Sequence, residues 1–259
     1  MSARRPLILL AAGAALLAAC AGGSGPKKPT RQEVAMIDRA LAGAPGAAQP
    51  STIVATELAF ARAARERGQW TAFRFYAAPG AQLHGAGGPF ALAPWLAEQR
   101  DPPQAVQWAP RAVAISCDGA LAVSYGRTRA PDGRVGRFLT VWERQADGAY
   151  RFVYDVGGLD VPQPPPRQQI EEGNIVVTAL DAVQGLIASC PRGGVPVPAP
   201  PPITVGEEAR ADARLSRDGT LRWRWEHRAD GTRFAAADYF REGRWLTAFE
   251  LALPPGSAE

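Results

Sequence analysis

Asp155 and Glu57 supply carboxyl groups, and Tyr76, Tyr125 and Tyr154 supply phenols, that could do acid–base chemistry in this chain. In an apolar pocket a carboxylate can take a proton from carbon while a phenol, or a second carboxyl kept neutral by burial, holds the oxyanion that forms. Spacing alone does not bring these residues together. His84 precedes the glycine loop "GAGGPF", where it could line the mouth of such a pocket, although a lone histidine is more often a packed bystander. The chain has 2 histidines, His84 and His227, and no paired cysteines at ligand spacing, so no metal or other cofactor is expected. "GAGG" does not lead from a strand into a helix as a dinucleotide-binding turn does, and no G-x-S-x-G elbow occurs.

Whether Asp155 works in a pocket or pairs on a surface depends on hairpin register, because a one-residue slip sends every side chain to the opposite face. In "VWERQADGAYRFVYDVGG", Val141 to Gly158, a two-residue Asp147-Gly148 turn opposes Arg144 to Arg151. A three-residue turn with Gly148 as the bulge opposes Glu143 to Arg151 instead, and unlike charges opposed across strands are favoured. That register predicts Phe138, Thr140, Trp142, Phe152 and Tyr154 on one face. Leu139, Val141, Val153 and Asp155 fall on the other, with Arg137 the expected cation partner of Asp155. A paired aspartate is held ionised, the opposite of what a pocket acid requires.

The elements that must position these residues are legible in outline. Ser51 or Thr52 opens a helix that Gly68 ends, with Val54, Leu58, Ala61 and Arg65 along one side. "QWTAFRFYAAPG" continues as a second helical segment, Gln69 to Ala77, turning Trp70, Phe73 and Tyr76 inward. A short strand near Ala81 to His84 and a helix from Pro94 to Arg100 follow. Beyond them, β-rich runs are punctuated by Asp118-Gly119, Asp132-Gly133, Asp147-Gly148, Asp218-Gly219 and Asp230-Gly231. Each is a hairpin signal, because glycine accepts the positive φ such turns require. "VPQPPP" and "VPVPAPPP" favour extended polyproline conformation and read as a boundary and a spacer. Between them, "NIVVTALDAVQGLIASC" could be a strand followed by a short helix. The meander after Arg210 either forms its own sheet or extends the first. Within it, "LRWRWEHR" alternates Trp223 and Trp225 against Arg222, Arg224 and Arg228: a basic strip for anionic envelope polymer or lipid, or a solvated face over a core.

Before any of this, "MSARRPLILLAAGAALLAAC" places Arg4 and Arg5 ahead of an apolar run too short to span a bilayer, the build of an export signal. The run ends in Leu17-Ala18-Ala19-Cys20, which resembles the bacterial lipoprotein cleavage box, so Cys20 is expected to be lipidated and to anchor the chain to a membrane. Ala21 and Gly22, with no acidic residue after the cysteine, favour the outer membrane facing the periplasm. In that oxidising compartment Cys117 and Cys190 remain as a pair able to form a disulfide, against the alternative of two buried thiols. The formal net charge of +4 gives no argument for nucleic acid. The expected organisation is a signal peptide 1–19, a tether and short helix 20–50 with capping-box spacing at Thr30 to Glu33, an α+β domain 51–160, a proline-rich connection 161–209 and a β meander 210–259.

"ATELAFARAARERG", "WTAFRFYAAPGAQLH", "PWLAEQ" and "RFLTVWERQADGAYRFVYDVG" resemble the SnoaL-like domain-of-unknown-function branch of the nuclear transport factor two-like superfamily, over about Thr52 to Gly158. The resemblance implies an α+β cone, a curved antiparallel sheet wrapped around helices with a cavity between them, often dimeric through the open sheet face. It carries over no agreed catalytic set, and fold does not settle function. The aromatic lining expected for a small hydrophobic ligand is Trp70, Phe73, Tyr76, Trp142, Phe152 and Tyr154. The leading expectation is a non-catalytic binding or interaction protein. A cofactor-free isomerase, cyclase or dehydratase using Asp155 and a tyrosine, and an envelope scaffold, stand as alternatives.

Overall fold

A computed structural model describes residues 48–165, 182–191 and 196–257. The export signal, Cys20, the tether and the helix expected after Thr30 lie outside these residues, as does the strand expected at the start of "NIVVTALD". No helix among the described residues is long and apolar enough to cross a membrane.

Helix α1 (Pro50–Arg67) starts on a proline, whose missing N–H costs nothing in the first turn, and stops at Gly68, where φ is 108°. Its buried stripe is Ile53, Glu57, Phe60 and Ala64, residues that share one helical face. Of the side read from sequence, Ala61 is buried and Val54 packs on the core, while Leu58 and Arg65 point to solvent. A glutamate in the middle of the buried stripe is what tilts a reading by hydrophobicity alone toward Leu58. Helix α2 (Gln69–Tyr76) follows at once. Its first turn is held by Asp101, which accepts from the backbone nitrogens of Trp70 (2.6 Å) and Thr71 (3.1 Å) and from the Thr71 hydroxyl (2.6 Å). That satisfies amides the helix itself cannot pair.

Strands β1 (Ala77–Gly85) and β2 (Gly88–Ala91), helix α3 (Leu92–Ala97), and strands β3 (Gln107–Ile115), β4 (Leu121–Arg129), β5 (Val135–Arg144), β6 (Tyr150–Leu159) and β7 (Gln184–Ile187) complete the first half. The strands form one sheet in the order β2-β1-β6-β5-β4-β3-β7, antiparallel except where β1 meets β6 and β7 meets β3. β7 lies where a short helix is the sequence reading; the open edge of β3 offers its backbone groups a ladder, which outweighs the ambiguous local period. Strands β8 (Arg210–Leu215), β9 (Leu221–His227), β10 (Arg233–Arg241) and β11 (Arg244–Leu253) form a second, wholly antiparallel sheet. All the Asp-Gly pairs join neighbouring strands, with glycine φ between 67° and 89°.

The helices cover one face of the first sheet, and the second sheet covers the other. Ile53, Phe60, Phe73, Trp142 and Phe152 share a core on the helix side. Leu139, Val141, Tyr154 and Val156 pack against Leu221, Trp223, Leu251 and Leu253 on the far side. The sheet face on which a second copy is expected is therefore occupied by the chain's own meander. Both ends of the stack are tied. At one, the turns Ser116 to Leu121 and Ser216 to Leu221 repeat the same hydroxyl-to-aspartate bond (2.6 Å in each) and touch through the Cys117 and Asp118 amides, which donate to Thr220 and Asp218. The Cys117–Cys190 disulfide closes on this end, with Ser189 bonded through its amide to Phe240. At the other, Arg233 donates to the carbonyls of His84 (3.0 Å) and Gly157 (2.8 Å) and to Ser257 (2.9 Å).

The second proline-rich stretch is more than a spacer. The carbonyls of Pro198 and Pro201 accept from Trp245 (2.8 Å) and Arg222 (2.6 Å) on the outer face of the second sheet. Nor is that face a solvated arginine strip: Arg222 and Arg224 both bond Asp238, at 2.8 and 3.2 Å.

Candidate functional site

The hairpin joining β5 and β6 has the charge-matched register, Glu143 opposite Arg151, but it does not hold along the strands. Trp142 pairs with Phe152 and Val141 with Tyr154, so Val153 is an extra residue, a β-bulge. One residue out of step exchanges two side chains. Tyr154 turns to the outer face, into the layer between the sheets, and Asp155 turns to the helix side opposite Thr140, whose hydroxyl donates to it at 2.6 Å. Asp155 does not pair with Arg137, which bonds Asp160 instead (2.7 Å).

On the helix side Asp155 lines a cavity of about 60 Å³ with Glu57, Phe60, Phe73, Trp108 and Phe138. Gln69 spans its rim and accepts from the Val106 amide (3.0 Å). The lining carries two carboxyl groups and no basic side chain. Glu57 is fully buried and fixed from three directions: Ser124 donates to it at 2.5 Å, the Trp108 indole at 2.9 Å and the Trp142 indole at 3.1 Å. Desolvation raises its carboxyl from 4.5 to about 7, the three donors pull the other way, and the charge of Asp155 adds to the rise. Near neutrality this group is poised between its two protonation states.

The other expected site residues scatter. Phe73 lines the cavity, and Trp142 meets it through Glu57. Phe152 is sealed in the core beneath, its ring 5.6 Å from that of Phe60. Trp70 packs edge-on against Phe73 and Trp95 at the outer end of α2, and Tyr76 lies at the other end, between Phe60 and the exposed Phe75. Tyr125 stacks on Phe249 of the second sheet, and Tyr154 lies against Trp223 there. None of the expected phenols is part of the cavity lining: β4 and β6 turn Tyr125 and Tyr154 to the inter-sheet face, and Tyr76 sits at the end of α2. His84 is also on that face and not at the mouth. It is buried, with Nδ1 2.6 Å from the Tyr154 hydroxyl and Nε2 3.1 Å from Nδ1 of His227. Among the described residues, no group of three or more His, Cys, Asp or Glu is arranged to hold a metal.

No protein-family model matches this chain, and no curated protein sequence does. The site must therefore be read from its own residues. What sequence reading underrates is Trp108 with Glu57: an indole and a carboxyl far apart in the chain, each half of a buried bond.

Proposed function

We propose that this is an exported, lipid-anchored envelope protein whose nuclear transport factor two-like cone is a non-catalytic receptor for a small molecule bearing an ammonium group. The N-terminal residues up to Cys20 support export and anchoring, on the periplasmic side of the outer membrane. The helices against one sheet face, with a cavity between, support the cone. The observation that carries the ligand class is the cavity lining: the carboxyls of Asp155 and Glu57 beside the rings of Phe60, Phe73, Trp108 and Phe138. Aromatic faces and carboxylates attract the same cation by two mechanisms, ring quadrupole and charge. At about 60 Å³ the cavity admits a head group and not a whole drug-sized ligand, for which roughly 300 Å³ or more is usual. The half-buried Asp155 and Trp108 leave the rest of the molecule to lie in the mouth. This replaces the small hydrophobic ligand expected from sequence with a cationic one, and it calls for no second copy of the chain.

Isothermal titration with butylammonium, against neutral butanol, tests this. Binding of the cation alone, with proton release near neutral pH as Glu57 ionises and loss of about tenfold or more in affinity for Asp155→Asn, is the expected result. Equal binding of the alcohol, or no binding of either, overturns it.

Glu57 also favours a second reading. Two carboxyl groups side by side, one of them poised near neutrality by burial, can divide a proton transfer between them, here Asp155 with Glu57 in place of the expected tyrosine. Turnover of a carbon acid abolished by both Asp155→Asn and Glu57→Gln would select it.

A further inference from the structure

On the side of α1 turned away from the sheet, Leu58 is 49% exposed, and Phe75 at the end of α2 is 59% exposed. Phe75 is held out, not loose. Its ring lies 5.1 Å from that of Tyr76, and the guanidinium of Arg151 sits 5.6 Å from its centre while donating to the Phe75 carbonyl. A groove of about 330 Å³ runs beside Leu58, Arg62, Arg67 and Tyr76. A second, of about 560 Å³ and lined mainly by alanine, proline and leucine, runs between Arg74 and Arg151. Along both grooves the charges are Arg62, Arg67, Arg74 and Arg151 against Glu66 alone.

Large apolar side chains fixed in water and rimmed by one sign of charge mark a surface with a partner of the opposite charge. Arginine suits a phosphate-bearing one, since its planar fork pairs with phosphate and its stem tolerates apolar surroundings. The position of the chain narrows the choice. Fewer than thirty residues separate Cys20 from Ala48, two residues before α1, so a lipid on Cys20 keeps this face within about 100 Å of a membrane.

We propose that this ridge docks on an anionic lipid surface, with Phe75 and Leu58 entering the headgroup boundary, Arg62 and Arg67 meeting lipid phosphates, and Arg74 and Arg151, which bond the carbonyls of Leu96, Gln99 and Phe75, adding positive charge beside them. The proposal rests on the envelope reading above for its setting, and its test does not use the anchor. The mature chain carrying Cys20→Ser is mixed with phosphatidylglycerol–phosphatidylcholine vesicles and, separately, with pure phosphatidylcholine vesicles. Sedimentation with the anionic vesicles only, released by salt, is expected. Arg62→Glu with Arg67→Glu should weaken it about tenfold or more at an unchanged melting temperature. Phe75→Trp should shift its emission to the blue on the same vesicles. Absence of binding, equal binding to neutral vesicles, or binding indifferent to the arginine change overturns the proposal. Capture by an acidic polypeptide such as polyglutamate in place of vesicles also overturns it, in favour of a protein partner. Failure of the anchor would appear separately, as an unmodified Cys20 in the mass of the wild-type mature chain, and leaves the vesicle result standing.

Discussion

Glu57 is the residue on which the site turns, and its energetics can be read from its surroundings. Burial holds its carboxyl at about 7 against 4.5 when exposed, so between those values the folded protein keeps a proton that the unfolded chain releases. Stability contributed at this position is therefore lost as pH rises through that window. Glutamine in its place cannot titrate, and its amide nitrogen would face indole and hydroxyl donors that need an acceptor. An unsatisfied buried donor costs about 1–3 kcal/mol. Glu57→Gln is expected to lower stability by that amount in mild acid and by less at alkaline pH. Urea unfolding at several pH values checks it; a penalty that does not shrink with pH would mean that the carboxyl is ionised throughout. The sequence made Glu57 a candidate carboxylate but not a buried one, because a charged residue in an amphipathic helix reads as solvent-facing until its partners are known.

At the scale of elements, what was legible and what was not divides along one line. The hairpins announced themselves, since only glycine takes the φ of 67–89° found at each Asp-Gly turn without strain. Gly68 likewise marked the end of α1. The bulge at Val153 carries no such residue: Phe152, Val153 and Tyr154 fit either face, and nothing local tells which two share one. That one unmarked residue exchanged Asp155 with Tyr154 and reversed the site reading. β7 was obscure for a different reason, since a four-residue strand is defined by the edge it joins. It and Cys190 give the expected connection a structural task. Cys117 and Cys190 close a loop of 73 residues, which in the chain-entropy model stabilises the fold by about 4 kcal/mol. Replacing both by serine should lower the unfolding free energy by up to that amount without moving the Asp155 cavity, which lies under the helices while the disulfide ties the turns at one end of the stack. A denaturation curve unchanged by the double substitution would show that β7 and the Ser189 bond hold the segment without the sulfur bridge.

At the scale of the molecule, the stacking of two sheets brings the chain's histidines together, and nothing in their spacing foretold it. His84 of β1 reaches Tyr154 of β6 and His227 of β9, with Arg210 and Arg233 also nearby. Desolvation, followed by the charges of His227, Arg233 and Arg210, lowers His84 from 6.5 to about 3. The folded protein thus refuses a proton that the unfolded chain accepts below 6.5, so this contribution to stability is lost as pH falls from there toward 3. Its sign is opposite to that of Glu57, and the two windows overlap between about 4.5 and 6.5. In the wild type the Glu57 slope opposes that of His84 there, and His227, also lowered by desolvation and by Arg210 and Arg233, adds to the imidazole side. His84→Gln should remove the larger part of the imidazole side and tilt the stability slope toward a rise on acidification relative to the wild type, whereas Glu57→Gln should leave the imidazoles unopposed and give a protein whose stability falls. Melting temperatures of the two variants across the overlap decide it. Parallel slopes would mean that the two layers of the fold, the helix-side cavity and the inter-sheet contact, do not titrate as separate units.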